Sequence, residues 1–403
     1  LTTAIQKKRP YLYEVDMMRI IFIFGVLLNH TTTAFAQSMT DATGWAHLLL
    51  LATHLTIHFT RMGFMFMTGL VLTLNYYSRH DWPTFFKKRF AGSGWPYVLW
   101  NFILMVMALI VGAPGFSLAN FSGTYLSALV HGDQFYMYYI LVTLQLYVLF
   151  PLLVALFKKL PNRHLTILVT SFGLQLALMF AIKYGLPHVD RSHWLWWFSA
   201  YGVNVFTYQF YFIFGAYTSL HYQALVAFIK HHAKAIGSWT LALGLGTVGY
   251  YFWNRGVLGL THTAAVSPHQ PYMLVYDTMM IIFVFGIGKL YACKRLALPT
   301  WVKDLVANGA KVSFGIYLDQ TIGLTLLSWL LQFTKLPDWG YLLLIPIGYA
   351  LVLTISFAIA WFCYRVAPFG ILIGRPQIHL FNRQKGMVIH DATYHTTVQS
   401  TQK

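Results

Sequence analysis

Charge is what this chain has least of. Asp, Glu, Lys and Arg make up 10% of its 403 residues, against about 25% in an ordinary soluble domain. Hydrophobic residues make up 57%, and their runs are about 20 residues long without strict alternation. That pattern predicts membrane-spanning helices rather than a soluble fold or a β-barrel. Acid is scarcer still: there are 11 acidic residues, and Glu14 is the single glutamate. A proton-coupled transporter would place carboxylates at mid-membrane, and Asp319 alone comes close. The two cysteines, Cys293 and Cys363, form no metal-type spacing and read as free thiols. Phosphate-loop, Gly-x-Ser-x-Gly and dinucleotide-binding patterns are missing as well, which removes nucleotide-driven pumps and the common hydrolase and dehydrogenase folds. Without an internal repeat, an inverted-repeat transporter has no support.

What is present is an excess of positive charge, +17 in all. Ten apolar spans are expected, at 17–37, 48–77, 96–112, 136–157, 165–182, 194–220, 235–253, 272–290, 312–333 and 341–363. The second is too long for a straight crossing and is expected to tilt or break near Gly63. Of the 28 basic residues, 22 fall in alternate segments on one side and four on the other, while Arg19 and Arg61 lie inside spans. Orientation in a bilayer explains this split better than nucleic-acid binding does. It predicts an all-α, polytopic integral membrane protein of about ten helices with both termini cytoplasmic. Lys7, Lys8 and Arg9 precede a full-length apolar run and read as the flank of a retained anchor. Trp194, Trp196 and Trp197 are expected at a membrane interface. Positions 1–370 form the membrane domain, and the polar stretch 371–403 is expected to be a cytoplasmic tail.

Four groups of residues could carry chemistry. Arg19 and His30 are eleven positions apart in the first span, so they leave one helix face roughly 16 Å apart along the axis. Asp16, three residues before Arg19, can pair with it, either to ease insertion or to orient it. His30, near mid-span, can take a proton from a hydroxyl or simply bond to a neighbouring helix. His54, His58 and Arg61 fall at i, i+4 and i+7 of the second span, with Thr53, Thr56 and Thr60 around them. Two histidines without a third ligand make poor evidence for zinc, and no metal is expected. Arg61 lies about 20 Å into its span and suits an oxyanion, a carboxylate or a pyrophosphate, unless an aspartate in another span neutralises it. Lys87, Lys88 and Arg89 follow from positive-inside bias, and would also dock a phosphate-bearing donor. Asp319, several residues inside the ninth span, reads either as compensation for an arginine or as a functional acid. Asp133 and Tyr136, at the start of the fourth span, are candidate acceptor contacts or ordinary loop residues.

Taken in order, these residues resemble the membrane acyltransferase-3 family. Asp16, then Arg19, then ten residues, then His30 is similar to its hallmark. Positions 64–69, the basic 86–89 with Pro96, Tyr97 and Trp100, positions 132–139, then Gln145, Tyr147 and Pro151, and finally 313–318 extend the likeness over roughly 11–370. Arg61 and the 145–151 stretch look closest to the branch associated with biofilm poly-N-acetylglucosamine, read both as export and as succinylation. The resemblance implies a ten-helix bacterial plasma-membrane enzyme that moves an acyl group, acetyl first, from cytoplasmic acyl-CoA to a hydroxyl of an extracytoplasmic polysaccharide. In that scheme His30, Arg19 and Asp16 are catalytic, and Lys88 and Arg89 hold the donor. Arg61, His58, Asp133, Tyr136 and Asp319 line the substrate. The expected partners are the bilayer, a carbohydrate acceptor, and a separate extracytoplasmic transferase or polysaccharide synthase if this chain does not complete the transfer itself. A polysaccharide exporter that transfers no acyl group is the alternative. Three departures stand out: Gly92 and Ser93 where a second arginine is expected, Tyr136 where relatives often have His, and Asp319-Gln320 in place of an Ile-His ending.

Overall fold

The computed structural model describes residues 11–132 and 134–375, and no strand occurs among them. α1 (Tyr13–Ser38) opens the bundle, with Glu14 and Asp16 in its first turn, where carboxylates complement the positive end of the helix dipole. α2 (Trp45–Thr53) and α3 (Phe59–Tyr76) follow, separated by one 3₁₀ turn, His54–Ile57. α4 (Trp82–Ile110) is started by Asp81, whose carboxylate accepts from Thr84 N at 3.1 Å. α5 (Phe121–His131), α6 (Tyr138–Lys159), α7 (His164–Phe180) and the short α8 (Trp196–Ser199) come next. α9 (Gln209–Leu220) and α10 (Tyr222–Gly256) meet at a 98° bend. α11 (His262–Ala265), α12 (Pro271–Lys294), α13 (Thr300–Gln332) and α14 (Asp338–Arg365) complete the order, and a final 3₁₀ turn, Phe369–Ile373, packs on α4 and α14.

Among the described residues, eight helical segments are long and apolar enough to cross a membrane, or nine if the bent α9–α10 pair makes one span. The difference from ten arises because the stretches expected at 194–220 and 235–253 qualify only together, and it begins in the first of them. There the chain forms short turns up to 207 and then α9, whose 12 residues reach only about 18 Å. The break in the second span falls at His54–Ile57 rather than at Gly63. Thr53 Oγ1 donates back to Leu49 O at 2.7 Å and Thr56 Oγ1 to Thr53 O at 2.5 Å. Such back-bonding competes with the helical ladder. Gly63 stays helical, and the ring of Phe22 occupies the space a Cβ would need.

α1 is the central element, packing on α2, α3, α12, α13 and α14. Because lipid removes the hydrophobic drive between helices, close packing of small residues has to hold them together. At the α3–α9 contact, a Cβ on Gly69 would collide with Phe212 O and one on Gly215 with Phe66 O, so the two backbones touch. The α1–α2 connection is tied to the start of α14: Asp338 Oδ1 accepts from Thr40 N at 3.0 Å and Oδ2 from Asp41 N at 2.8 Å.

Candidate functional site

A series of three cavities follows α1 through the bundle. The first surrounds Arg19 in two adjoining lobes of ≈ 360 and ≈ 190 Å³. Arg19, Lys88, Arg89, Lys311 and Arg375 line it, and no carboxylate is in its wall. Arg19, with its side chain about a third exposed (34%), donates through Nη1 to Asp16 Oδ1 at 3.4 Å. Asp16 Oδ2 also accepts from the Tyr11 hydroxyl at 2.7 Å. Burial, with the Asp16 carboxylate beside it, pushes that hydroxyl up to about 12, so at neutral pH it remains a donor. Asp16 therefore orients Arg19 while leaving most of its guanidinium donors free.

Lys88 and Arg89 come from α4, as expected, and Arg89 is steadied over the ring of Tyr76 at 4.9 Å. Lys311 and Arg375 were not expected there. Arg375 arrives because the chain beyond α14 folds back on α4. Trp100 Nε1 donates to Leu372 O at 2.8 Å, Arg375 N donates to Gly370 O at 2.8 Å, and Gly374, at φ +71°, lies directly on the backbone of Gly92. Residues 373–375, placed in the tail on sequence, are thus part of this wall, while 376–403 lie outside the described residues. The sequence signals were Gly92, which leaves α4 bare at the contact, and the Gly-Arg pair at 374–375.

The second cavity is a chamber of ≈ 30 Å³ lined by His30, Asn29, His58, Arg61, Tyr136 and Tyr138, among others. That volume has room for on the order of one or two water molecules. Phe64, Tyr139 and Tyr317 line both the chamber and the smaller lobe at Arg19, so this aromatic trio is the partition between them. Its ring centroids are 6.0 Å (Phe64 to Tyr139) and 5.4 Å (Tyr139 to Tyr317) apart. The ring of Tyr136 lies against that of His30, with centroids 3.9 Å apart. Phe135 and Tyr136 hold left-handed φ values of +50° and +66°, a conformation that costs non-glycine residues about 1 kcal/mol or more each. The Tyr317 hydroxyl donates to the Tyr136 carbonyl and holds that backbone in place.

His58 is buried, and neither of its ring nitrogens has a hydrogen-bond partner. Arg61 also faces the chamber, its guanidinium 4.9 Å from the Tyr138 ring centroid and near the hydroxyls of Tyr208 and Tyr317. Two ion pairs occur among the described residues, Arg19–Asp16 and Lys289–Glu14, so no aspartate is in ion-pair contact with Arg61, although the buried Asp277 of α12 lies near enough to feel its charge. The chamber thus holds two imidazoles and a guanidinium without a contact ion pair, inside an aromatic shell.

The remaining candidates are placed elsewhere. Asp319 is fully buried on α13, beside Ser356 and Cys363 of α14, and neither carboxyl oxygen has hydrogen-bond geometry to a partner. It does not line the chamber, and no arginine pairs with it. Asp133 lies outside the described residues. His54 and His58 are stacked edge to face with centroids 4.5 Å apart, and no group of three or more metal-ligating side chains converges among the described residues. The third cavity, ≈ 670 Å³, lies beyond His54 at the other end of α1.

A bundle of apolar helices threaded by a polar track, with cations at one end and imidazoles at its middle, defines a polytopic membrane protein. The profile of the acyltransferase domain family matches residues 12–361, so the chain belongs to the acyltransferase-3 family. It is a multi-pass acyltransferase of the bacterial plasma membrane. Among its relatives are the probable poly-beta-1,6-N-acetyl-D-glucosamine export proteins of Staphylococcus aureus strains MSSA476, MW2 and N315. Each is 20% identical over 367 residues, covering 90% of this chain and 95% of the relative. No solved structure matches the chain.

Proposed function

We propose that the protein transfers an acyl group, acetyl in the first instance, from cytoplasmic acyl-CoA to a hydroxyl of an extracytoplasmic polysaccharide, with the Arg19 end of the bundle and both termini on the cytoplasmic side. One observation carries this reading. The His30 chamber adjoins, across three aromatic rings, a cavity walled by five cations and no carboxylate. Such a wall suits the phosphates of coenzyme A. Arg89, Lys88, Lys311 and Arg375 would hold those phosphates, and Arg19, oriented by Asp16, would steer the thioester toward the partition. His30 would act as general base. The acceptor oxygen bonds to the thioester carbon, the carbon–sulfur bond breaks, and the proton taken by His30 passes to the departing thiolate. A transient acyl group on His30 fits the same geometry. Arg61, lacking an acidic partner, would stabilise negative charge on the carbonyl oxygen.

The printed name of the relatives favours a second reading, polysaccharide export. Against it, a chamber of ≈ 30 Å³ passes no sugar ring in this conformation. The test is His30→Ala in the producing cell. Alkali-labile acyl groups on surface glycan should vanish while protein level and glycan export stay normal. Unchanged ester content would overturn acyl transfer, and glycan movement by purified protein in vesicles without donor would establish the exporter.

A further inference from the structure

The ≈ 670 Å³ cavity at the far end of α1 has the size of a ligand cleft and belongs to none of the residues discussed above except His54. Its walls come from the last turns of α1, from α2, and from α10 and α11. Five side chains there carry nitrogen, Gln37, His47, His54, Arg255 and His262, and no carboxylate lines it. Phe252 presents a ring that is 48% exposed, and Thr33 adds a hydroxyl from α1. His262 Nδ1 is buried without a partner. Burial, with Arg255 and His47 nearby, holds the His262 imidazole below its ordinary range, so in its neutral form it offers one donor and one acceptor. The floor of this vestibule is the wall of the chamber, because His54 faces the vestibule and stacks on His58, which faces His30.

We propose that this vestibule is the acyl-acceptor site, and that it takes an uncharged or anionic oligosaccharide and presents one hydroxyl past the His54–His58 pair to His30. The inference rests on the acyl-transfer reading and adds the acceptor's location and charge class. An aromatic ring offers a stacking face for the apolar side of a pyranose, and the His262 imidazole matches sugar hydroxyls as both donor and acceptor. Arg255, with Nη1 anchored on Leu260 O at 2.6 Å, keeps a positive field over the mouth. That field attracts carboxylated sugars and repels glycans bearing free amines.

The experiment uses the full chain in lipid nanodiscs. Binding is measured for three tetrasaccharides: chitotetraose, its fully de-N-acetylated form, and hyaluronan tetrasaccharide. Coenzyme A affinity is measured in parallel. The uncharged and anionic sugars should bind at least tenfold more tightly than the amine form. Leu48→Trp, which fills the vestibule, and Phe252→Ala, a change at a half-exposed ring, should each weaken sugar binding at least fivefold, with coenzyme A affinity held within twofold. Preference for the amine form, no binding of any tetrasaccharide, or unaltered sugar affinity in Phe252→Ala would overturn the proposal. Sugar binding that follows these expectations in a protein unable to bind coenzyme A would support the vestibule and overturn the donor reading. Coenzyme A binding with vestibule-insensitive sugar affinity would do the reverse.

Discussion

The two ends of α1 are both polar, but they are polar in different ways. Around Arg19 the cavity wall carries guanidinium and ammonium groups. Around His30 and onward to His262 the polarity is mostly imidazole, with Arg61 and Arg255 as the guanidinium groups. The first kind of wall is suited to holding a polyanion, and the second to moving a proton and meeting hydroxyls. Between them stand Phe64, Tyr139 and Tyr317, which keep the two chemistries apart. The lesson is that the polar neighbours of a single continuous helix can change in type along its length, from fixed cations at one end to imidazoles further on.

Several substitutions test that division. Beyond His30→Ala, the largest effect is expected from Arg61→Ala, a fall in kcat of about 10²–10³ with little change in donor KM, as for removal of an oxyanion donor. If donor KM rose instead, Arg61 would belong with the binding end. Arg375→Ala and Arg89→Ala should each raise donor KM about tenfold, the worth of one charge-assisted contact of about 1.4 kcal/mol, and leave kcat within twofold. That effect should shrink as salt is raised, because the groups lie in an open cavity. A loss of kcat without a change in donor KM would show that the fixed charges take part in the chemical step. Asp319→Asn should alter transfer by less than twofold, since its carboxyl faces α14 rather than the chamber. A tenfold loss would show that the α13–α14 contact is coupled to catalysis.

Much of the track was legible in the sequence because α1 is one uninterrupted helix. On such a helix a spacing of eleven places Arg19 and His30 on one face whatever surrounds them. The same reasoning is less exact for His54, His58 and Arg61, because Thr53 and Thr56 turn their hydroxyls back onto the backbone and insert a 3₁₀ turn at that point. The stripe still brings His58 and Arg61 into the chamber, but His54 turns toward the vestibule. Lys311 and Arg375 could not be assigned from sequence. One lies twelve positions into a helix that begins earlier than hydropathy indicates, and the other follows a fold-back held by Trp100 and Gly92. Asp319 misled for the opposite reason: depth in the span was readable, but the direction of its face was not.

By itself the sequence determined the class of the protein. Scarce charge, long apolar runs and a lopsided distribution of lysine and arginine are properties of a chain meeting a bilayer, and they hold before any two helices touch. It also determined the Asp16–Arg19–His30 register, which depends on the geometry of one helix alone. Only the tertiary structure decided that Arg375 joins Arg19, that three aromatic rings close the chamber, and that a vestibule lies beyond His54. Those features arise where residues far apart in the chain are pressed together by close packing, and helix packing in a membrane depends on shape at each contact rather than on any pattern along one strand of sequence.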